Sequence, residues 1–182
     1  SIGLVGSEMC IRDRSNTRDE NGNHVRTLIT QLKPEPNVGS PPMAVYLEKG
    51  GSVKCLEYEK NSADIKSQRI KESNTANSSG VGSIKVSGIK NTYRVNKIKK
   101  LLGINLKDGN WHKIEMTYKP SNTDGYCKIV IDGRTILEKS GIDNIVAKKQ
   151  LYIGPRIGIY RDSLSYSQTV YYDDLTIKFT PE

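Results

Sequence analysis

Apolar and polar residues alternate along several short stretches of this chain: VRTLITQL (25–32), MAVYLEKG (43–50), SVKCLEYE (52–59), HKIEMTY (112–118), CKIVIDG (127–133) and VYYDDLTIKF (170–179). A period of two sends successive side chains to opposite faces, so each stretch predicts a strand with one face on a core. Between them lie KGG at 49–51, KDGN at 107–110, NTDG at 122–125 and DGR at 132–134. Gly, Asn and Asp accept the positive φ of tight turns, so these mark chain reversals. Helical periodicity is nearly absent, and VNKIKKLL (95–102) predicts one short helix. Residues 60–92, rich in Ser, Asn and Lys around ESNTANSSGVGS, predict a surface loop or hairpin tip. Many short strands joined by such turns predict an all-β fold, a sandwich or barrel of antiparallel sheets.

A chain of 182 residues is long enough for one domain with a core of its own. Its 28 Lys and Arg against 20 Asp and Glu give a net charge of +8, which favours acidic partners. Nucleic acid and acidic polysaccharide both qualify. The basic residues are scattered, and no zinc spacing, RNP-like aromatic motif or helix-turn-helix pattern is present, which argues against nucleic acid. No run approaches the ~18–20 apolar residues that would span a bilayer. The expectation is a monomer without nucleic-acid or membrane partners.

LVGSEMCIRDR, Leu4 to Arg14, back-translates into one reading frame of a transposon-based sequencing adapter. Residues 1–14 are therefore expected to be foreign to the gene, and 15–182 to be a single domain incomplete at its N-terminus. Of the other cysteines, Cys55 and Cys127 both fall in predicted strands. Two buried free thiols are expected, a bridge being the alternative.

DGNWHKIEMTY followed by GYCKIVIDGRTIL reads as strand, turn, strand, Asp-Gly turn, strand, and resembles a concanavalin-like sandwich. In that setting Trp111 would fill the core, and Asp132 with Gly133 would reverse the chain. Laminin-G-like modules, legume-lectin-like domains and jelly-roll polysaccharide lyases share such a pattern, so it implies architecture and leaves binding module and enzyme open.

The stretch LYIGPRIGIYRDSLSYSQTVYYDDLTIKF resembles the last strands of jelly-roll polysaccharide lyases of the heparin lyase I-like, glucuronan lyase and alginate lyase kinds. These carry a Lys-x-Gly-x-Tyr element and then a Tyr-Asp-containing strand. Arg156, Gly158 and Tyr160 match the spacing, with Arg for the commoner Lys. The resemblance implies a concanavalin A-like β-jelly-roll sandwich with this element on its concave sheet, Tyr160 as catalytic acid or acid/base, and Arg156 facing substrate. Alternation independently puts Arg156, Gly158 and Tyr160 on one face, with Gly158 clearing space for a sugar ring. Upstream, TLITQLKPEPNVGSPPMAVYLEKGG resembles the strand that bears a Gln-x-His motif. Gln31 fits, and Lys33 stands in the histidine's place. An amine with an ordinary pKa of about 10.4 is a poor base at neutral pH, so Lys33 is assigned to neutralise a substrate carboxylate.

Only two histidines exist, His24 and His112. Alternation groups His112 with Ile114, Met116 and Tyr118, a core-like face, and it is retained as a candidate for substrate binding. The reaction implied is β-elimination on a uronate polymer. Gln31, Lys33 and Arg156 would stabilise the enolate-like dianion, and Tyr160 would move the proton. That scheme requires neither metal nor organic cofactor. It implies an acidic polysaccharide as partner and an extracellular or periplasmic location. The competing reading is a non-catalytic laminin-G-like or lectin-like carbohydrate-binding domain, with Tyr166, Tyr171 and Tyr172 as a possible sugar platform.

Overall fold

Alternation translates into eleven strands among the residues described by the computed structural model, which are 2–10, 26–35, 40–47, 50–59, 89–145, 152–161 and 167–179. In chain order they are β1 (Ile2–Cys10), β2 (Thr27–Glu35), β3 (Met43–Tyr46), β4 (Ser52–Tyr58), β5 (Ile89–Asn96), β6 (Trp111–Lys119), β7 (Gly125–Ile131), β8 (Arg134–Ile142), β9 (Tyr152–Arg161), β10 (Tyr171–Asp173) and β11 (Ile177–Phe179). The predicted helix is the five-residue α1 (Ile98–Leu102), closed by Gly103 at φ 74°. Asp132 and Gly133 take φ of 51° and 73°, the positive values that the β7–β8 turn requires. Of the predicted loop at 60–92, residues 60–88 lie outside the described residues. Residues 89–92 are not loop but the start of β5, paired with β4.

The strands form two antiparallel sheets: β10-β1-β6-β7-β8, with β11 also on β1, and β5-β4-β3-β2-β9. They stack as a β-jelly-roll sandwich, all-β as the pattern predicts. Every second residue of β6 and β7 points between the sheets, so Ile114, Met116, Tyr118, Cys127, Ile129 and Ile131 meet Ile29, Leu32, Met43, Val45 and Val53 from the other sheet. Each such side chain removed from water contributes roughly 1.5–3 kcal/mol. Ile2–Cys10, the segment that the adapter reading sets aside, forms a strand between β6 and β10, and Met9 and Cys10 are buried.

Two expectations are corrected. Cys55 on β4 and Cys127 on β7 are not free thiols but a disulfide joining the two sheets through the core, 72 residues apart in sequence. Trp111 does not fill the core. The alternation that turns His112 and Ile114 inward turns Trp111 outward, where it is 49% exposed.

Candidate active site

The outer face of the five-stranded sheet carries the site, and the ladder register builds it. Arg94, Lys54, Ala44, Gln31 and Arg156 are successive cross-strand partners on β5, β4, β3, β2 and β9. One step along the strands, Asn96, Ser52, Tyr46, Leu28 and Tyr160 form a second row of the same kind. With strands about 4.8 Å apart, Lys54 and Arg156 stand roughly 14 Å from each other across the sheet. Leu28, Ala44 and Tyr46 pack together as a small apolar cluster separate from the main core.

A cleft of about 280 Å³ opens over these rows, lined by Arg26, Leu28, Gln31, Lys33, Ser40, Pro41, Tyr46, Lys54, Arg156 and Tyr160. Four of the ten are cations and none is acidic, so the cleft suits an anionic ligand. Its two tyrosines are each flanked by cations. The Arg26 guanidinium lies 5.5 Å from the centre of the Tyr160 ring, and Arg94 and the Lys54 ammonium lie 5.2 and 5.7 Å from that of Tyr46. Tyr160 is 58% exposed, available to a ligand entering from solvent, whereas Tyr46 is buried. Burial, followed by repulsion from Arg94, Arg26 and Lys33, lowers the Lys54 pKa to about 8.

A backbone irregularity brings Leu28 and Gln31 onto the same wall. In a regular strand residues three apart face opposite ways. Between Leu28 and Thr30 the register of β2 shifts against both β3 and β9. Ile29 and Leu32 therefore enter the core cluster while Leu28 and Gln31 line the cleft. Gly158, in the facing part of β9, has φ 128°, a region essentially restricted to glycine. Its role is conformational first, whatever space it leaves for a sugar.

Of the residues singled out in the sequence, Gln31, Lys33, Arg156 and Tyr160 come together in this cleft. His112 does not. It sits on β6 in the other sheet, buried between two carboxylates, with Nδ1 2.8 Å from Asp132 and Nε2 3.0 Å from Asp108. Its inward alternation and these two partners hold it in the opposite sheet, so it does not join the other candidates in this cleft. His24 and Tyr166 lie outside the described residues. Tyr171 is exposed on β10, but Tyr172 turns inward and does not form a platform with it. Arg26, Tyr46 and Lys54 were not foreseen. A lysine between Val53 and Cys55, in a strand whose inward side chains are apolar, was the available signal. Among the described residues no group of three His, Cys, Asp or Glu side chains is placed to hold a metal ion, and no helix is long and apolar enough to cross a membrane.

Comparison with known proteins adds one relationship. The family model described as polysaccharide lyase matches residues 11–176, most of the chain and every described strand of the cleft. No curated protein matches it.

Proposed function

The chain belongs to the polysaccharide lyase family, and from that premise we propose that it cleaves a uronic-acid-containing polysaccharide by β-elimination in the cleft over β2, β3, β4 and β9. The observation that carries this reading is the convergence of Gln31, Lys33, Arg156 and Tyr160 on one cationic cavity.

The chemistry begins with the carboxylate at C6 of a uronate. Its α-hydrogen at C5 is only weakly acidic until donors stabilise the negative charge that builds on the carboxylate oxygens. The Gln31 amide, Lys33 and Arg156 supply those donors from adjacent strands. Tyr160, exposed at the rim beside Arg26, exchanges protons with the substrate. As phenolate it takes the C5 proton, and the C5–H electron pair becomes the C4–C5 double bond. The C4–oxygen bond breaks, and the departing oxygen receives the proton from the Tyr160 phenol, which restores the phenolate. The field of Arg26, Lys33, Lys54 and Arg156 draws the polyanion in and holds its carboxylates.

The disulfide between Cys55 and Cys127 supports a location outside the cytosol, where such bonds persist and where a polymeric substrate is found. The test is the ultraviolet absorbance of the unsaturated uronyl product on mixing the protein with glucuronan, alginate or heparin. Tyr160→Phe should abolish that signal while melting temperature and polymer binding stay near wild type. Binding by the wild-type protein without unsaturated product would instead favour the lectin-like alternative. Full activity in the phenylalanine variant would show that Tyr160 is not the acid.

A further inference from the structure

Where β2 and β9 run side by side, the ladder is interrupted beside the proposed acid. Leu28 pairs with Tyr160 and Thr30 with Ile157, so Ile29 alone faces both Gly158 and Ile159. Two residues against one is a β-bulge, and such a bulge leaves backbone groups without their ladder partners. A buried C=O or N–H in that condition disfavours the folded state unless something else bonds to it.

One side chain meets the need from the opposite sheet. The Tyr172 hydroxyl, on β10, donates to the Ile29 carbonyl at 2.7 Å and accepts the Gly158 N–H at 3.2 Å. The ring is partly buried against the main core, so the hydroxyl reaches the bulge through the sandwich and not from solvent. Burial raises the Tyr172 pKa to about 12, the Gly158 bond opposing it, so the O–H remains available as a donor over the whole neutral range. Gly158 lies midway between Arg156 and Tyr160, the two β9 residues that line the cleft. The direction in which Tyr160 leaves the strand is therefore set by a turn of backbone whose bonds are completed by one phenol.

We propose that Tyr172 is a positioning residue for the elimination: by bridging the Ile29 carbonyl and the Gly158 amide it fixes the β9 bulge and with it the placement of Tyr160 against substrate. The inference rests on the lyase reading for its catalytic consequence, but the bridge itself can be tested apart from it. Tyr172→Phe keeps the ring and removes both bonds. In the full chain it should lower kcat roughly ten- to hundredfold, the scale expected when a reacting group is displaced by an ångström, while KM for the polyuronate stays close to wild type. Hydrogen exchange read in parallel should show the Gly158 amide exchanging faster, with β6 and β7 unchanged.

An unchanged kcat together with wild-type exchange at Gly158 would overturn the proposal. So would a variant that melts far below wild type, or one whose KM rises in step with the fall in kcat, since Tyr172 would then be a general brace of the sandwich. If wild type itself yields no unsaturated product, the lyase reading fails, and exchange at Gly158 alone decides whether Tyr172 holds the bulge.

Discussion

Lys54 keeps its ammonium where charge is disfavoured, in a cleft that Arg26 and Lys33 also line and with Arg94 close by on β5. Its pKa falls to about 8 from an ordinary 10.5. The folded chain therefore binds this proton more weakly than the unfolded chain does. Below about pH 8 both states carry the charge and the folded one bears the penalty. Between about pH 8 and 10.5 the folded lysine loses its proton first, and its contribution to stability becomes more favourable as pH rises. A shift of that size corresponds to about 3 kcal/mol at most. Lys54→Met should accordingly raise the melting temperature at pH 7, with a smaller gain at pH 10, and should raise KM for a polyuronate several-fold. Thermal melts at the two pH values and substrate titrations check both halves. In the sequence Lys54 stands out only by its place between Val53 and Cys55, because the charges around it come from Arg26, β2 and β5 and no spacing within SVKCLEY records them. Gln31, Arg156 and Tyr160 could be singled out because each lies in a short stretch that resembles a lyase motif, TLITQLK for the first and GPRIGIY for the other two.

At the scale of elements, strands and turns follow from local rules, and most of them could be read from the chain. The exceptions are β1, set aside with residues 1–14, and β5, read as loop, and β10 and β11 read as one stretch. Period-two alternation and Asp-Gly or Gly-Gly reversals need no knowledge of the partner strand. Irregularities do need it. The bulge of β9 against β2 and the break at Asp174, which has φ 50° between β10 and β11, depend on what lies alongside, and the pattern VYYDDLTIKF shows no interruption there. His112 is another case. Asp108 in the turn before β6 and Asp132 in the β7–β8 turn clamp its ring, and Asp132 also accepts the Lys113 N–H at 2.9 Å. Burial opposes a charge on the imidazole, but the bonds to Asp132 and Asp108 outweigh it and hold its pKa above the ordinary value. Being raised on folding, this group stabilises fully below its unfolded pKa of about 6.5, and that contribution disappears as pH rises through the folded value. His112→Gln should cost roughly 2 kcal/mol near pH 6 and less at pH 9. Melts of both proteins at the two pH values measure the difference, at about 2–4 °C per kcal/mol for a chain of this size.

For the whole molecule, the Cys55–Cys127 bond fastens one sheet to the other. Closing a loop with a sequence separation of 72 restricts the unfolded chain by about 4 kcal/mol in the loop-entropy account. Replacing both cysteines by alanine should remove 2–4 kcal/mol, read from urea unfolding, and should make the midpoint indifferent to reductant, while the wild-type midpoint drops when reductant is added. Two strand cysteines did not reveal this pairing in the sequence, because facing positions across a sandwich are a property of sheet stacking. The same holds for the cleft, which draws on strands far apart in the chain. Cleft and core are opposite surfaces of one sheet, divided in β3 and β4 by the parity of each position and in β2 and β9 by parity reset at the bulge. One extra residue within β3 or β4 would exchange those surfaces downstream of it, driving ammonium groups inward and valines into water. Descendants of this chain can thus adapt to new polymers by swapping side chains or by resizing the connections, whereas an indel inside β3 or β4 has to be absorbed by a bulge such as the one between β2 and β9.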